Sequence, residues 1–274
     1  MSDAPAFTVR EPTSEETPLI VEVPHAGLFV DGETLAHLVA PARSIGRDAD
    51  LYVDELYADA PARGATLITA HVSRYVVDLN RSEHDIDPET VDGAPAGSRA
   101  TRGIVWRLTS DGGRVLDRPL SRRELDRRLD GYYRPYHRAL SSAIERKKAK
   151  FGFALVLAAH SMPSVGRAGH GDPNVHRADA VPGSRGRTSA AAVFIDAVDA
   201  HARESRLTVA HDDPYQGGFT TQHYGRPESR VHVVQLELAR RLYMDEPTLA
   251  KGPGFDRMRA FCGDLVAVLG SKRP

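Results

Sequence analysis

With a single cysteine, Cys262, in 274 residues, the chain has no means of forming an intramolecular disulfide. No apolar run approaches the ~18 residues that a membrane-spanning helix needs. The opening Met1-Ser2-Asp3-Ala4-Pro5 lacks the basic and apolar regions of a signal peptide. These absences make a reducing cytoplasm the expected setting. An excess of either charge is also missing. Lys+Arg 36 against Asp+Glu 37 leaves a net charge of −1, which gives no case for a nucleic-acid or membrane partner. There is no repeat, no linker and no break in composition, so residues 1–274 read as one domain, with residues 1–16 a loose, proline-containing arm. Two compact catalytic signatures are absent as well. No His-Glu-x-x-His run occurs, and Ser161 stands in no Gly-x-Ser-x-Gly elbow, which argues against serine catalysis.

Twelve histidines are present, and imidazole is the commonest metal ligand. Their positions carry more than their number. Pro18 to Val23 reads as a strand stopped by Pro24-His25-Ala26-Gly27, and Ala65 to Ala70 as a second. Phe153 to Ala159 is almost wholly apolar, as a central parallel strand should be, and runs into His160. Val231 to Leu238 alternates, with Gln235 and Glu237 on one face and His232, Val234 and Leu236 on the other. Arg74 to Arg81 begins like a strand at Val76, Val77 and Leu79, then turns to Asp78, Asn80 and Arg81. Between these segments, Asp48 and Asp50 open an expected helix through Leu51, Leu56 and Tyr57. Ser121 to Glu124 is a capping box, and the helix it starts should run to about Lys150 with a bend at Pro135. Further helices are expected from Thr188 to about His201 and from Thr248 to about Leu269, with short strands at Gly103–Trp106 and Leu207–Ala210. The irregular stretch 82–118 is long enough to suggest a binding or lid role.

Strands alternating with helices imply an α/β domain: a mainly parallel, mixed sheet flanked by helices. In such sheets ligands bind beyond the carboxyl ends of the strands. His25, the Asp78–Arg81 group, His160 and Glu237 all fall at such ends, where chance would scatter them over both ends of the sheet. Taken singly, each has a plainer role: a histidine at a strand end caps or is solvated, and acids that open a helix complement its dipole. Taken together they suit a catalytic Zn2+ site of two imidazoles and one carboxylate, His25 and His160 with Asp50 or Asp48. In that arrangement Glu237 acts as general base and Arg74 steadies an oxyanion, while Arg81 and Asn80 clamp a substrate carboxylate. Arg187, in a Gly-rich turn before a helix, is a candidate second carboxylate binder, and Arg226 in the polar loop 211–230 a further substrate contact. His84, His170, His176 and His223 read as loop histidines, His223 the best of them.

Several segments together resemble the N-formylglutamate amidohydrolase (N-formylglutamate deformylase) family. They are Val23-Pro24-His25-Ala26-Gly27, Asp48-Ala49-Asp50 with Val53-Asp54-Glu55-Leu56-Tyr57, Arg74 to Arg81, Arg134-Pro135-Tyr136-His137 and His160-Ser161-Met162-Pro163. Gly217-Gly218-Phe219-Thr220, Tyr224-Gly225-Arg226-Pro227, Gln235-Leu236-Glu237 and Arg241 to Glu246 follow in order. The family is similar in architecture to zinc carboxypeptidases and to the succinylglutamate desuccinylase/aspartoacylase group, so the resemblance implies a phosphorylase/hydrolase-like, zinc carboxypeptidase-like fold. It implies Zn2+ held by His25 and His160, Glu237 as base, and Arg74, Asn80 and Arg81 on the substrate. It also implies hydrolysis of a small N-acyl amino acid, N-formyl-L-glutamate, at the end of histidine breakdown. Leu28 stands where those relatives place an acidic ligand, so that ligand must come from elsewhere, and Asp50 is chosen over Asp48. Ala158-Ala159 precedes His160 where many members carry an acid. A metallo-deacylase or carboxypeptidase-like hydrolase of another N-acyl amino acid, and a carboxylate-binding homologue without a competent metal, are the rival readings.

Overall fold

The structure is a computed structural model that describes residues 5–93 and 101–274. Residues 94–100, part of the expected lid stretch, and residues 1–4 of the expected arm lie outside the described residues. Six strands form one mixed sheet: β1 (Phe7–Arg10), β2 (Leu19–Val23), β3 (Thr66–Ala70), β4 (Ala154–Met162), β5 (Ala180–Gly183) and β6 (Val231–Ala239), in the order β1-β3-β2-β4-β6-β5. The four central strands run parallel, and the edge strands β1 and β5 run antiparallel to their neighbours.

Burial on both faces explains the apolar character of the central strands. Leu155, Leu157 and Ala159 of β4, with Val234, Leu236 and Leu238 of β6, join a core beneath the helices α6 (Ala192–Glu204) and α8 (Phe255–Ser271). Ala154, Val156 and Ala158, with Val231 and Val233, join the opposite core. That second core is closed by α4 (Arg122–Arg128), a π-helical turn (Leu129–Tyr133) and α5 (Arg134–Phe151). Each fully buried Leu or Val contributes roughly 1.5–3 kcal/mol. By the two-residue alternation His160, Gln235 and Glu237 extend the second face, the one that opens into the cleft.

The capping box holds as expected: Ser121 Oγ accepts from the Glu124 amide and Glu124 Oε2 from the Ser121 amide at 2.7 Å. Pro135 sits in the first turn of α5, where its missing N–H costs nothing, and the π-helical turn just before it makes the bend. Other expectations are corrected. Phe7–Arg10, expected to be loose, is an edge strand on β3. Arg74–Arg81 forms no strand; it is a succession of turns whose apolar side chains are buried in the second core. Asp48 ends one helix, α2 (Ala42–Asp48), and Asp50 precedes the next, α3 (Val53–Leu56), so neither opens a helix. Gly103–Trp106 and Leu207–Ala210 make single bridges in place of strands. Both His160 and Glu237 lie inside their strands, two residues before the ends, paired directly with each other. Among the described residues no helix is long and apolar enough to cross a membrane.

Candidate active site

A cavity of about 360 Å³ opens over the carboxyl ends of the central strands. At its floor, His25 follows β2 and its carbonyl accepts from the Asp50 amide at 2.9 Å, which fixes the two segments side by side. His160 Nδ1 lies 3.0 Å from Asp50 Oδ2 and 3.2 Å from His25 Nδ1. One ligand atom from each of His25, Asp50 and His160 lies within 4.8 Å of the others, and all three side chains are buried.

Asp78 organises the turn at 74–81. Its Oδ1 takes His25 Nε2 at 2.7 Å and the Asn80 amide at 2.9 Å, while Oδ2 takes Trp106 Nε1 at 2.8 Å and Arg74 Nη2 at 3.1 Å. Burial works to raise the pKa of this carboxyl. His25 and Arg74 outweigh it, and Asp78 sits well below the usual carboxylate range. Asp50 behaves alike: burial opposes ionisation, but hydrogen bonds from His160 and His25 and the charge of Arg74 hold it low. Arg240, fully buried, stitches the site from below by donating to the Arg47 and Ala49 carbonyls at 2.6 Å each and to Asp50 Oδ1 at 3.2 Å.

Asp48 faces away from the histidines. Its carboxylate accepts from Tyr75 Oη at 2.6 Å, the Ser110 amide at 3.0 Å and Arg167 Nη1 at 3.2 Å, holding the segment around Ser110 against α2. Of the two acids, Asp50 is the one brought to His25 and His160.

Glu237 and Gln235 line the same wall. Gln235 Nε2 donates to Glu237 Oε1 at 3.0 Å, and Gln235 Oε1 accepts from the Gly218 amide at 2.9 Å. Burial raises the Glu237 pKa, with Asp50 pushing the same way and His160 against. Arg74 and Arg240, its possible structural partners, bond to Asp78 and Asp50 instead. Asn80 closes the wall: its Oδ1 accepts from the Thr220 amide at 2.9 Å and its Nδ2 faces His160 Nε2 at 3.2 Å. A Cβ on Gly218 would fall 2.4 Å from Asn80 Nδ2, which is why the Gly217-Gly218 turn needs glycine there.

Six arginines line the cavity, in two classes. Arg47 pairs with Asp111, Arg74 with Asp78, and Arg240 with Asp50. Arg81, Arg102 and Arg185 have no acidic partner among the described residues; Arg102 donates to the Gly169 carbonyl and Arg185 to that of Gly217. The other two expected arginines are elsewhere. Arg187 points outward to Asp196 at 2.6 Å, and Arg226 is spent on the Gln222 and Gly225 carbonyls; neither lines the cavity. His223 stacks on Phe219 outside it. His170, expected at the surface, forms part of the wall, and burial with Arg177 beside it pushes its pKa down to about 4. Reading residue types alone named Asp78 only as part of the Asp78–Arg81 group and gave Arg102 and Arg185 no role; only the fold reveals which arginines lack acids among the described residues.

Comparison with known proteins gives one consistent result. The family model described as N-formylglutamate amidohydrolase matches residues 17–244. The N-formylglutamate deformylase of Pseudomonas aeruginosa is 37% identical over 242 residues, covering 84% of this chain and 83% of that protein. The N-formylglutamate deformylase of Pseudomonas putida is 32% identical over 236 residues, covering 84% and 82%. Among solved structures, the crystal structure of the N-formylglutamate amidohydrolase from Ralstonia eutropha superimposes with a TM-score of 0.90 at 32% identity, covering 97% of this chain and 98% of that one.

Proposed function

This chain belongs to the N-formylglutamate amidohydrolase family, and from that premise we propose that it hydrolyses N-formyl-L-glutamate to formate and L-glutamate with the help of one divalent metal. The observation that carries the reading is the juxtaposition in one cavity of a His-Asp-His cluster, a buried glutamate and arginines with no acidic partner among the described residues. A dianionic amide suits such a cavity, because cations left unpaired by the protein are satisfied by the substrate's carboxylates.

The donor set fits a metal ion. Asp78 takes the Nε2 proton of His25, which leaves the Nδ1 lone pair facing Asp50 and His160, and a carboxylate behind a ligating histidine is the usual support for a bound cation. His25, His160 and Asp50 would hold the ion. When bound, Zn2+ would polarise the formyl carbonyl and lower the pKa of water toward ~7. The chain supplies the rest. Glu237, across the β4–β6 pairing from His160, accepts the proton of the attacking water and returns it to the leaving nitrogen. Gln235 holds Glu237 by one oxygen, leaving the other for that task. Arg74, fixed by Asp78 and stacked 4.5 Å from the Trp106 ring, presents a rigid positive charge where the carbonyl oxygen becomes negative. Arg81 and Asn80 hold one substrate carboxylate. Zn2+ as the ion, a place in histidine breakdown and a cytoplasmic setting belong to the same proposal.

Metal content and formate release, measured on one purified sample, test it. The expected result is about one equivalent of divalent metal per chain, with N-formylglutamate the preferred amide. A metal-free protein that binds N-formylglutamate without cleaving it would favour the non-catalytic homologue, and a better N-acyl substrate would favour another deacylase.

A further inference from the structure

Arg185 follows β5 at a turn whose backbone is unusually well fixed. Its φ is +53°, a left-handed conformation that a side chain as large as arginine seldom adopts. The turn is held there by Asp212, whose carboxylate accepts three successive backbone N–H groups: Ser184 at 2.7 Å, Arg185 at 3.1 Å and Gly186 at 2.7 Å. Thus the chain direction reverses between Arg185, which lines the cavity, and Arg187, which points to solvent. Nη1 of Arg185 donates to the Gly217 carbonyl at 3.1 Å, and no acid among the described residues meets the guanidinium.

The placement relative to Arg81 matters. Asn80, adjoining Arg81, contacts Gln235 at 3.4 Å. Gly183, two residues before Arg185, pairs with Gln235 from the other side in the β5–β6 ladder. Arg81 and Arg185 thus belong to segments that reach Gln235 by different routes, and both line the cavity that Glu237 lines. We propose that Arg185 is the specificity-determining residue that takes the second carboxylate of a dianionic substrate, and that Asp212 is its positioning residue. The proposal rests on the reading of the cavity as an N-formylglutamate site, with Arg81 engaging the first carboxylate.

Two arms separate this inference from that reading. In the first, formate release from N-formyl-L-glutamate and from N-formyl-L-glutamine is compared. In the second, calorimetry measures binding of glutarate and of its monoamide to the full chain, with no turnover required. Wild type should prefer each diacid by about 10- to 100-fold, the worth of a charge-assisted hydrogen bond. R185Q should reduce that preference to within about threefold, leaving the KM for N-formylglutamine and the affinity for the monoamide unchanged. R185K should restore part of it. D212A, provided its circular dichroism matches wild type, should raise KM for the diacid and not for the amide. An R185Q that keeps the preference, an R185Q that weakens both ligands equally, or a wild type that never distinguishes glutarate from its monoamide would each overturn the proposal. A wild type that prefers glutarate through Arg185 yet releases no formate would instead overturn the assigned activity and leave Arg185 standing.

Discussion

The floor and the rim of this one cavity follow opposite electrostatic rules. On the floor every charge meets a protein partner: Asp78 with His25 and Arg74, Asp50 with His160 and Arg240. On the rim Arg81, Arg102 and Arg185 meet backbone carbonyls or nothing acidic among the described residues. A buried charge left unpaired is costly, so the floor has to be neutralised from within for the chain to fold at all. A half-exposed guanidinium is hydrated and costs little to leave unmatched, so the rim can keep its charges for a ligand. The difference predicts that floor substitutions damage folding or chemistry, whereas rim substitutions damage recognition.

Glu237, next to the floor but with no salt-bridge partner among the described residues, gives the largest expected effect. Glu237→Gln preserves shape and removes basicity, so kcat should fall by roughly 10²- to 10⁴-fold with metal content unchanged; wild-type kcat in a metallated variant would remove Glu237 from the chemistry. Next comes Asp78→Ala, which strips Arg74, His25 and the Trp106 N–H of one shared acceptor. A loss of about 3–5 kcal/mol in denaturant titration is expected, and a loss below about 1 kcal/mol would mean the floor does not depend on its internal pairing. Arg81→Lys tests the rim. It keeps the charge but loses the planar fork, so KM for N-formylglutamate should rise by about 10-fold with stability unchanged. An unchanged KM would make Arg81 structural. Asp48→Asn against Asp50→Asn gives a contrast read in metal content: the first should keep its metal and the second lose it, and the reverse outcome would exchange their roles.

A pH series separates the two regions further. Burial raises Glu237, so below that raised pKa the carboxyl keeps its own proton and cannot take another; kcat/KM should climb with pH through it. Stability runs the other way. A folded-state pKa above the unfolded one contributes stability fully at pH below the unfolded value, ~4.3 for Glu, and loses it as pH rises through the folded value. The Glu237 contribution should therefore decline across that window, while His170, lowered to about 4, pulls the total the other way. E237Q should lose only the Glu237 share of the pH dependence, because Glu22, fully buried, is raised by burial too. Identical slopes for the two proteins would show that Glu237 is not desolvated.

Most of the frame was legible in the sequence, because β2, β3 and β4 are buried on both faces and read as largely apolar runs, and β6 reads as an alternating strand. His25, His160 and Glu237 could be placed from where those runs stop. The 74–81 stretch misled, since Val76, Val77 and Leu79 suit a strand as well as they suit a coil folded under Trp106 around one carboxylate. β5 escaped notice because Ala180–Gly183 is short and contains Pro182, tolerated only on an edge. Arg187, the candidate second carboxylate binder, points outward for a conformational reason: which of two arginines two residues apart lines the cavity depends on a left-handed turn held by Asp212, a residue distant in sequence. No local pattern encodes that contact.

The direct pairing of His160 with Glu237 across β4 and β6 carries a consequence for how this scaffold can change. A slip of one residue between the strands would turn Glu237 to the opposite face and bury a carboxylate under α6 and α8. Insertions or deletions inside β6 should therefore be lethal to activity even where folding survives, whereas the turns bearing Arg185 and Gly217 sit outside that ladder and can vary in length. New substrate preferences in this protein, whether selected or engineered, should arise by rewriting those turns while the central pair stays fixed.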